Sequence, residues 1–287
     1  MLDDRPDGGG RPVTGFTGSA AGTPRWQHLD VTVSGGVVTV TLNRPEKLNA
    51  LTFEAYADLR DLLHELSARG EHRVVLLRGE GDAFCSGGDV QEIIGELLAM
   101  PPDRRLAFTR MTGEVVRAMR ESPLPVVAAI RGIAAGAGSV LALASDFRVL
   151  GASSRLAFLF TKVGLAGADM GAAYLLPRLI GAAKATELLI LGDTIDAVTA
   201  DRYGLATALV ADQEVDETAR QLVHRLADGP ALAYAQTKML ITRELDMSLA
   251  AALELDATTQ ALLMGSADHA EFHTAFTAKR KPAWRGR

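Results

Sequence analysis

The sequence predicts an α/β core followed by an α-helical C-terminal part, and three observations carry that prediction. Apolar runs rich in β-branched residues, 74–77 (VVLL) and 125–130 (PVVAAI), are continuous in the manner of strands covered on both faces. Each run passes into a glycine-rich loop that opens a helix, GEGDAFCSGGDV at 79–90 and RGIAAGAGSV at 131–140. Beyond Asp193 the apolar spacing is helical almost throughout. Strand–helix alternation followed by helices alone divides the chain into a core at 25–210 and a helical region at 211–287. Residues 1–24, rich in Gly, Pro, Thr and Asp, are expected to be a disordered tail.

The elements follow in order. Residues 28–42, HLDVTVSGGVVTVTL, alternate as a hairpin turning at Ser34-Gly35-Gly36, and Asn43-Arg44-Pro45 ends its second strand. Thr52 is the N-cap candidate for a helix that carries Ala55, Leu59, Leu62, Leu63 and Leu66 on one face. After the strand at 74–77, a helix is expected from Val90 until Pro101-Pro102 breaks it, and another over 104–121. Pro123 and Pro125 reset the chain into the central strand. Short strands are expected at 147–150 and 155–158, then the small-residue loop GLAGADMG at 164–171 and a helix from Ala172. The remaining helices are expected at 197–203, 214–227, 231–244, 249–263 and 269–279.

Composition narrows the function. A formal net charge of −5 argues against a general binder of nucleic acid or anionic membranes. The single cysteine, Cys85, allows no internal disulfide, so a reducing cytoplasm is the natural compartment. No apolar run is long enough to span a bilayer, and the first residues show neither a basic start nor an apolar core of an export signal. His64, His72 and His224 have no metal-like spacing, and no metal site is expected.

The chemistry lies in the two glycine-rich turns. A strand that feeds such a turn into a helix leaves the first backbone N–H groups without partners, and small residues let a ligand oxygen approach them. GGD at 87–89 and GAG at 136–138 can each aim one N–H into a shared crevice. Two donors on one carbonyl oxygen would stabilise the enolate formed when a proton leaves the carbon beside a thioester, and losing one donor typically costs about 3–4 kcal/mol of barrier.

At these residues the chain resembles the crotonase, or enoyl-CoA hydratase/isomerase, superfamily. NRPEKLNAL (43–51), FCSGGDV (84–90), IRGIAAGAGSVLALASD (130–146) and LPRLIG (176–181) look like its signatures, in order, and FTAKRK (276–281) is similar to its C-terminal segment. The resemblance covers residues 28 to 281 and implies a spiral of ββα units with a helical trimerisation region, a homotrimer or dimer of trimers. It implies an acyl-CoA substrate, coenzyme A entering as part of that substrate with no separate cofactor, and a thioester polarised by the N–H groups of Gly88 and Ala137. It also implies that the backbone at Lys47 and Leu48, with Phe84, Ser86 and Asp89, lines the adenine and pantetheine path. Phe276 and Lys279 resemble the contacts that close over a CoA; their alternatives are a packing residue and a solvated charge.

The chain departs from the family's hydratases at both glutamate positions, which here are Val140 and Phe160. Neither can carry a proton, and hydration needs an acid–base pair. The carboxylate that remains is Asp169, where several family isomerases carry an aspartate; its alternative is an N-cap of the next helix. Tyr174, just over one turn further on, faces either the acyl pocket or the core. Cys85 reads as a small buried hydrophobe. The resulting expectation is an isomerase or rearranging enzyme in which Asp169 shuttles a proton along an enolate held by Gly88 and Ala137. Hydration or thioester hydrolysis by water activated at Asp169, and a non-catalytic acyl-CoA binder, are the alternatives.

Overall fold

A computed structural model of the chain describes residues 16–19 and 26–286. The hairpin forms as expected from β1 (Leu29–Ser34) and β2 (Val37–Leu42), in register from Leu29 opposite Leu42 to Ser34 opposite Val37. Its turn residues Gly35 and Gly36 have φ of +57° and +81°, the left-handed backbone that a tight hairpin requires and glycine adopts freely. Then come α1 (Phe53–Arg69) and β3 (Val74–Gly79), with the Thr52 hydroxyl accepting from the Ala55 amide at 3.2 Å as the cap of α1. A π-helical turn at Val90–Ile94 runs into α2 (Gly95–Ala99), followed by α3 (Pro102–Glu121), β4 (Val126–Ile130), β5 (Ile133–Ala135) and α4 (Ala137–Ala144). Next are β6 (Phe147–Gly151), β7 (Arg155–Ala157), α5 (Ala172–Ile180), α6 (Ala182–Leu191), β8 (Thr194–Asp196), α7 (Ala197–Arg202) and β9 (Ala208–Val210). The chain closes with α8 (Val215–Ala227), α9 (Ala231–Glu244), α10 (Leu249–Met264) and α11 (Ala267–Thr277).

Six strands form one sheet in the order β1-β2-β3-β4-β6-β9, parallel except for the hairpin, and β5-β7-β8 form a second. The continuous apolarity of β3 and β4 follows from cover on both faces. Val75, Leu77, Val126 and Ala128 belong to the core shared with α1, α3 and α4. Val74, Leu76, Val127 and Ala129 alternate with them and pack with Val215, Ala219 and Val223 of α8.

Several expectations change. The region after Asp193 is not helical throughout, because Thr194–Asp196 and Ala208–Val210 add strands to the two sheets. Three residues are too few for a period-two pattern to register. The helix expected from Val90 is a π-helical turn and one short helix ending before Pro101, and α3 starts at Pro102, where proline's missing N–H costs nothing. Within the expected tail, residues 16–19 dock on α1: the Ser19 amide and hydroxyl each donate to buried Asp58 at 2.5 Å, and Phe16 stacks on Phe53 at 5.3 Å. Residues 1–15 and 20–24 of that expectation lie outside the described residues.

A buried cation ties α9 to the core. Lys238 of α9 donates to the carbonyls of Met119 and Leu124, both at 2.8 Å, and pairs with Asp146 at 2.8 Å. Burial pulls its pKa down, and Asp146 opposes that pull. From there α10 packs on α9 and α11 on α10. Among the described residues no helix is long and apolar enough to cross a membrane.

Candidate active site

The two glycine-rich turns lie side by side. The Cys85 amide donates to Ile133 O at 3.1 Å, the Ala135 amide to Cys85 O at 2.9 Å, and the Gly136 amide to Ala157 O at 2.8 Å. A side chain on Gly138 would start 2.1 Å from Cys85 O, so only glycine lets the turns approach this closely. One on Gly87, whose φ is +101°, would start 2.9 Å from Ala135 O and 3.6 Å from the Ala137 nitrogen. Leu51 pairs across Gly88, donating to Gly87 O at 2.7 Å and accepting from the Asp89 amide at 2.8 Å. The Gly88 N–H therefore has no protein acceptor among the described residues. Ala137 is the first residue of α4, so its N–H has no acceptor within the helix either. Two touching turns thus each keep one amide free.

Asp169 sits in a 3₁₀ turn, Asp169–Gly171, ahead of α5. Its Oδ1 accepts from the Met170 amide at 2.8 Å, while α5 has Gly171 at its N-cap and no side-chain cap. The N-cap alternative is therefore not what the structure contains. The carboxyl is half-buried, and burial raises its pKa against the lowering effect of the Met170 hydrogen bond. Phe160 is buried with its ring 3.9 Å from where a Gly136 side chain would begin, and Val140 is fully buried. The wall beside the free amides is apolar on this side.

Tyr56 joins these parts, and sequence reasoning missed it. Its hydroxyl lies 3.4 Å from where a side chain on Gly88 would start. Burial, then the proximity of Cys85 and Asp169, raise its pKa well above the ordinary value, so the phenol stays protonated. The signal was a polar tip on the otherwise apolar face of α1, Ala55, Tyr56, Leu59, Leu62, Leu63 and Leu66. Cys85 is pushed up to about 12 by burial and is a packing residue, as its sequence context suggested.

The expected CoA-path residues divide. Leu48 and Asn49 take left-handed φ of +50° and +56°, and Leu48 stands half-exposed with its carbonyl accepting from the Ser86 amide at 2.9 Å. The Ser86 hydroxyl reaches Lys47 O at 3.3 Å, and Lys47 Nζ reaches Gln91 Oε1 at 2.9 Å. Buried Asn49 fixes this bend by donating to Glu80 O and Ala83 O at 2.9 and 2.8 Å, a role the sequence reading did not assign. Asp89 is buried, and its carboxylate caps the next turn through the Gln91 and Glu92 amides and pairs with Arg44 at 3.2 Å. Phe84 is only 1% exposed and belongs to the core. Tyr174 donates to Asp246 at 2.5 Å with Arg178 3.6 Å over its ring, so its hydroxyl ties α5 to the turn after α9. It lines a cavity of about 890 Å³ together with residues of α3, α5 and α9, which does not include the Gly88 and Ala137 turns. Phe276 is exposed on α11 beside Phe272 at 5.9 Å, and Lys279 is exposed with φ of +52°. None of the contacts described for α11 reaches the two turns. Among the described residues, no group of three or more His, Cys, Asp or Glu side chains is placed to hold a metal ion.

Comparison with known proteins gives a consistent result. The family model for enoyl-CoA hydratase/isomerase matches residues 32–287. A 1,2-epoxyphenylacetyl-CoA isomerase from Escherichia coli K12 is 36% identical over 255 residues, 89% of this chain and 97% of that protein. A Rhodobacter capsulatus protein named probable enoyl-CoA hydratase is 38% identical over 255 residues, 89% of this chain and 96% of its own length. A crystal structure from Streptomyces coelicolor A3(2), carried under an enoyl-CoA hydratase name, superposes with a TM-score of 0.91 at 66% identity, covering 95% of this chain and 99% of that one. With its parallel sheet, helical C-terminal part and matching length, the chain belongs to the enoyl-CoA hydratase/isomerase family and has the crotonase fold.

Proposed function

We propose that the protein is an acyl-CoA isomerase that moves a double bond, or rearranges its acyl group, through a thioester enolate. The free amides of Gly88 and Ala137 hold the enolate oxygen, and Asp169 carries the proton from one carbon to another. The observation that supports this most directly is the pairing of a half-buried Asp169, whose pKa burial raises, with the apolar Val140 and Phe160 at the positions where the family's hydratases carry glutamates. One carboxylate that reaches both carbons is enough for a proton shift, whereas adding water needs a second group to position it. An apolar wall also excludes water and strengthens the fixed amide dipoles. CoA enters as part of the substrate, and the reading includes a cytoplasmic homotrimer or dimer of trimers.

The test uses a panel of enoyl-, dienoyl- and aryl-CoA esters in heavy water, with the products followed by mass spectrometry. Asp169→Asn is expected to lower α-proton exchange and isomerisation by about 10²–10⁴-fold with little change in CoA-ester affinity. Wild-type rates in that variant would remove Asp169 from the mechanism. A second reading is hydration by water activated at Asp169, favoured by the hydratase names of relatives, among them a (E)-benzylidenesuccinyl-CoA hydratase from Thauera aromatica at 33% identity. Labelled solvent oxygen in the product would decide for it.

A further inference from the structure

We propose that the cavity of about 890 Å³ between α3, α5, α8 and α9 is a second binding site, which takes an amphipathic carboxylate: a free acid with a hydrocarbon body, anchored at a wall formed by Arg120, Arg148 and Lys238. The Gly88 and Ala137 turns are not part of its lining, so the inference stands whether or not Asp169 moves a proton.

The wall carries three cations against one carboxylate. Asp146 pairs with Arg120 at 3.2 Å and with Lys238 at 2.8 Å, and it also accepts from the Val126 amide at 2.8 Å. Nothing is left over for Arg148. Its guanidinium is 7% exposed and donates only to carbonyls, Leu205 O, Ala142 O and Ser145 O, with no carboxylate paired to it among the described residues. Burial pulls its pKa down to about 10, which leaves it charged at neutral pH. Exposed Arg225 lines the same cavity and has no partner among the described residues. The other charged residues in the lining are matched within the chain: Arg178 has Asp246, and Arg117 has Glu114 and Glu121. Buried charges are ordinarily paired, so a wall with surplus positive charge calls for an anion.

The rest of the lining says what the anion is attached to. Val116, Leu175, Leu179, Leu226, Ile241 and Leu245 make it largely apolar, and its volume lies in the range of about 300–1,000 Å³ typical of small-molecule pockets. A hydrated inorganic anion would leave most of that surface wet. An alkyl or aryl acid covers the apolar part and presents a planar carboxylate to the guanidinium groups, which match it in geometry as well as charge. The acid is favoured over its thioester, because esterification removes the charge that the wall lacks.

The probes are octanoate and the uncharged 1-octanol, titrated by calorimetry into the full chain at neutral pH. Wild type is expected to bind one octanoate per chain with a Kd below about 1 mM, and octanol at least about tenfold more weakly. Saturating butyryl-CoA should leave octanoate binding intact. Arg148→Gln removes the charge while keeping donors for the carbonyls, and Arg225→Glu changes an exposed position, so it decides the question if the first variant fails to fold. Each is expected to weaken octanoate by about tenfold or more while holding butyryl-CoA within about twofold. No binding at about 10 mM octanoate would overturn the proposal, as would sedimentation showing that a second copy fills the cavity. So would equal affinity for octanol, displacement by butyryl-CoA, or full octanoate affinity in Arg225→Glu.

Discussion

At the residue scale the site is arranged around a carboxyl that the fold makes reluctant to ionise. Burial raises the pKa of Asp169, so the native protein holds that proton more tightly than the unfolded chain does. The stability this contributes is fully present below the unfolded pKa and is lost as pH rises through the folded one. At neutral pH the folded protein therefore carries a half-buried anion at some cost to its stability, the kind of exchange that functional sites make. Asp169→Asn removes the charge and keeps the shape. We expect its urea midpoint to exceed that of wild type at pH 7 with an unchanged slope, and the difference to vanish in acid below the ordinary aspartate range. A variant that is less stable at pH 7 would mean that the carboxylate is a structural partner of its own turn. Asp89 shows the opposite arrangement. Burial alone would raise its pKa, but the Glu92 and Gln91 amides and Arg44 outweigh that and lower it, so its charge is held for structure.

At the scale of elements, the proposed chemistry depends on two turns pressed together until side chains are excluded. Gly138→Ala would place a methyl 2.1 Å from the Cys85 carbonyl, backbone against backbone, where no rotamer can relieve it. Overpacking of this kind costs about 1–3 kcal/mol, and relief comes only from separating the loop at 84–88 from the start of α4. We expect turnover to fall by more than tenfold in protein that still folds, because the Gly88 and Ala137 amides move apart. Full activity in Gly138→Ala would show that the two turns need not touch. Such contacts were legible in the sequence because close backbone approach demands glycine, and the glycines sit where strands become helices. Positions beside a motif were less legible. Phe84 and Tyr174 neighbour the loop and Asp169 in sequence, yet one is in the core and the other is bound to Asp246. Nearness along the chain does not say which way a side chain faces. Tyr56 was hidden for the converse reason: it lies more than thirty residues from Gly88, and its tip rides an apolar helix face. The strands β8 and β9 were too short to show a period, and Asn49 gave no sign of bonding to two carbonyls far along the chain.

At the scale of the whole molecule, the C-terminal helices are anchored at one end and open at the other. Lys238 and Asp146 fix α9 to the core, where a buried ion pair with three good partners specifies a position. Beyond it, Leu249, Leu253, Leu262 and Met264 of α10 and Phe272 and Phe276 of α11 are all exposed, with Phe276 74% accessible. A helix that is apolar around most of its circumference is stable in water only when other surfaces cover it. Within one chain α10 has α9 and α11 as its main neighbours, so most of that surface has nothing over it. Association with further copies is the economical cover, and closed symmetry makes the same residues meet in every subunit. We therefore expect the protein to sediment as a trimer or a multiple of one. Leu262→Asp combined with Phe276→Asp should release monomers, because each charge would have to be buried without a partner. A wild-type protein that sediments as a monomer at micromolar concentration, with these residues exposed, would contradict the assembly. If the double variant dissociates but still exchanges α-protons at the wild-type rate, the site is complete within one chain. If exchange is lost with dissociation, the neighbouring helices, with Phe276 and Lys279 among them, complete the site across the interface.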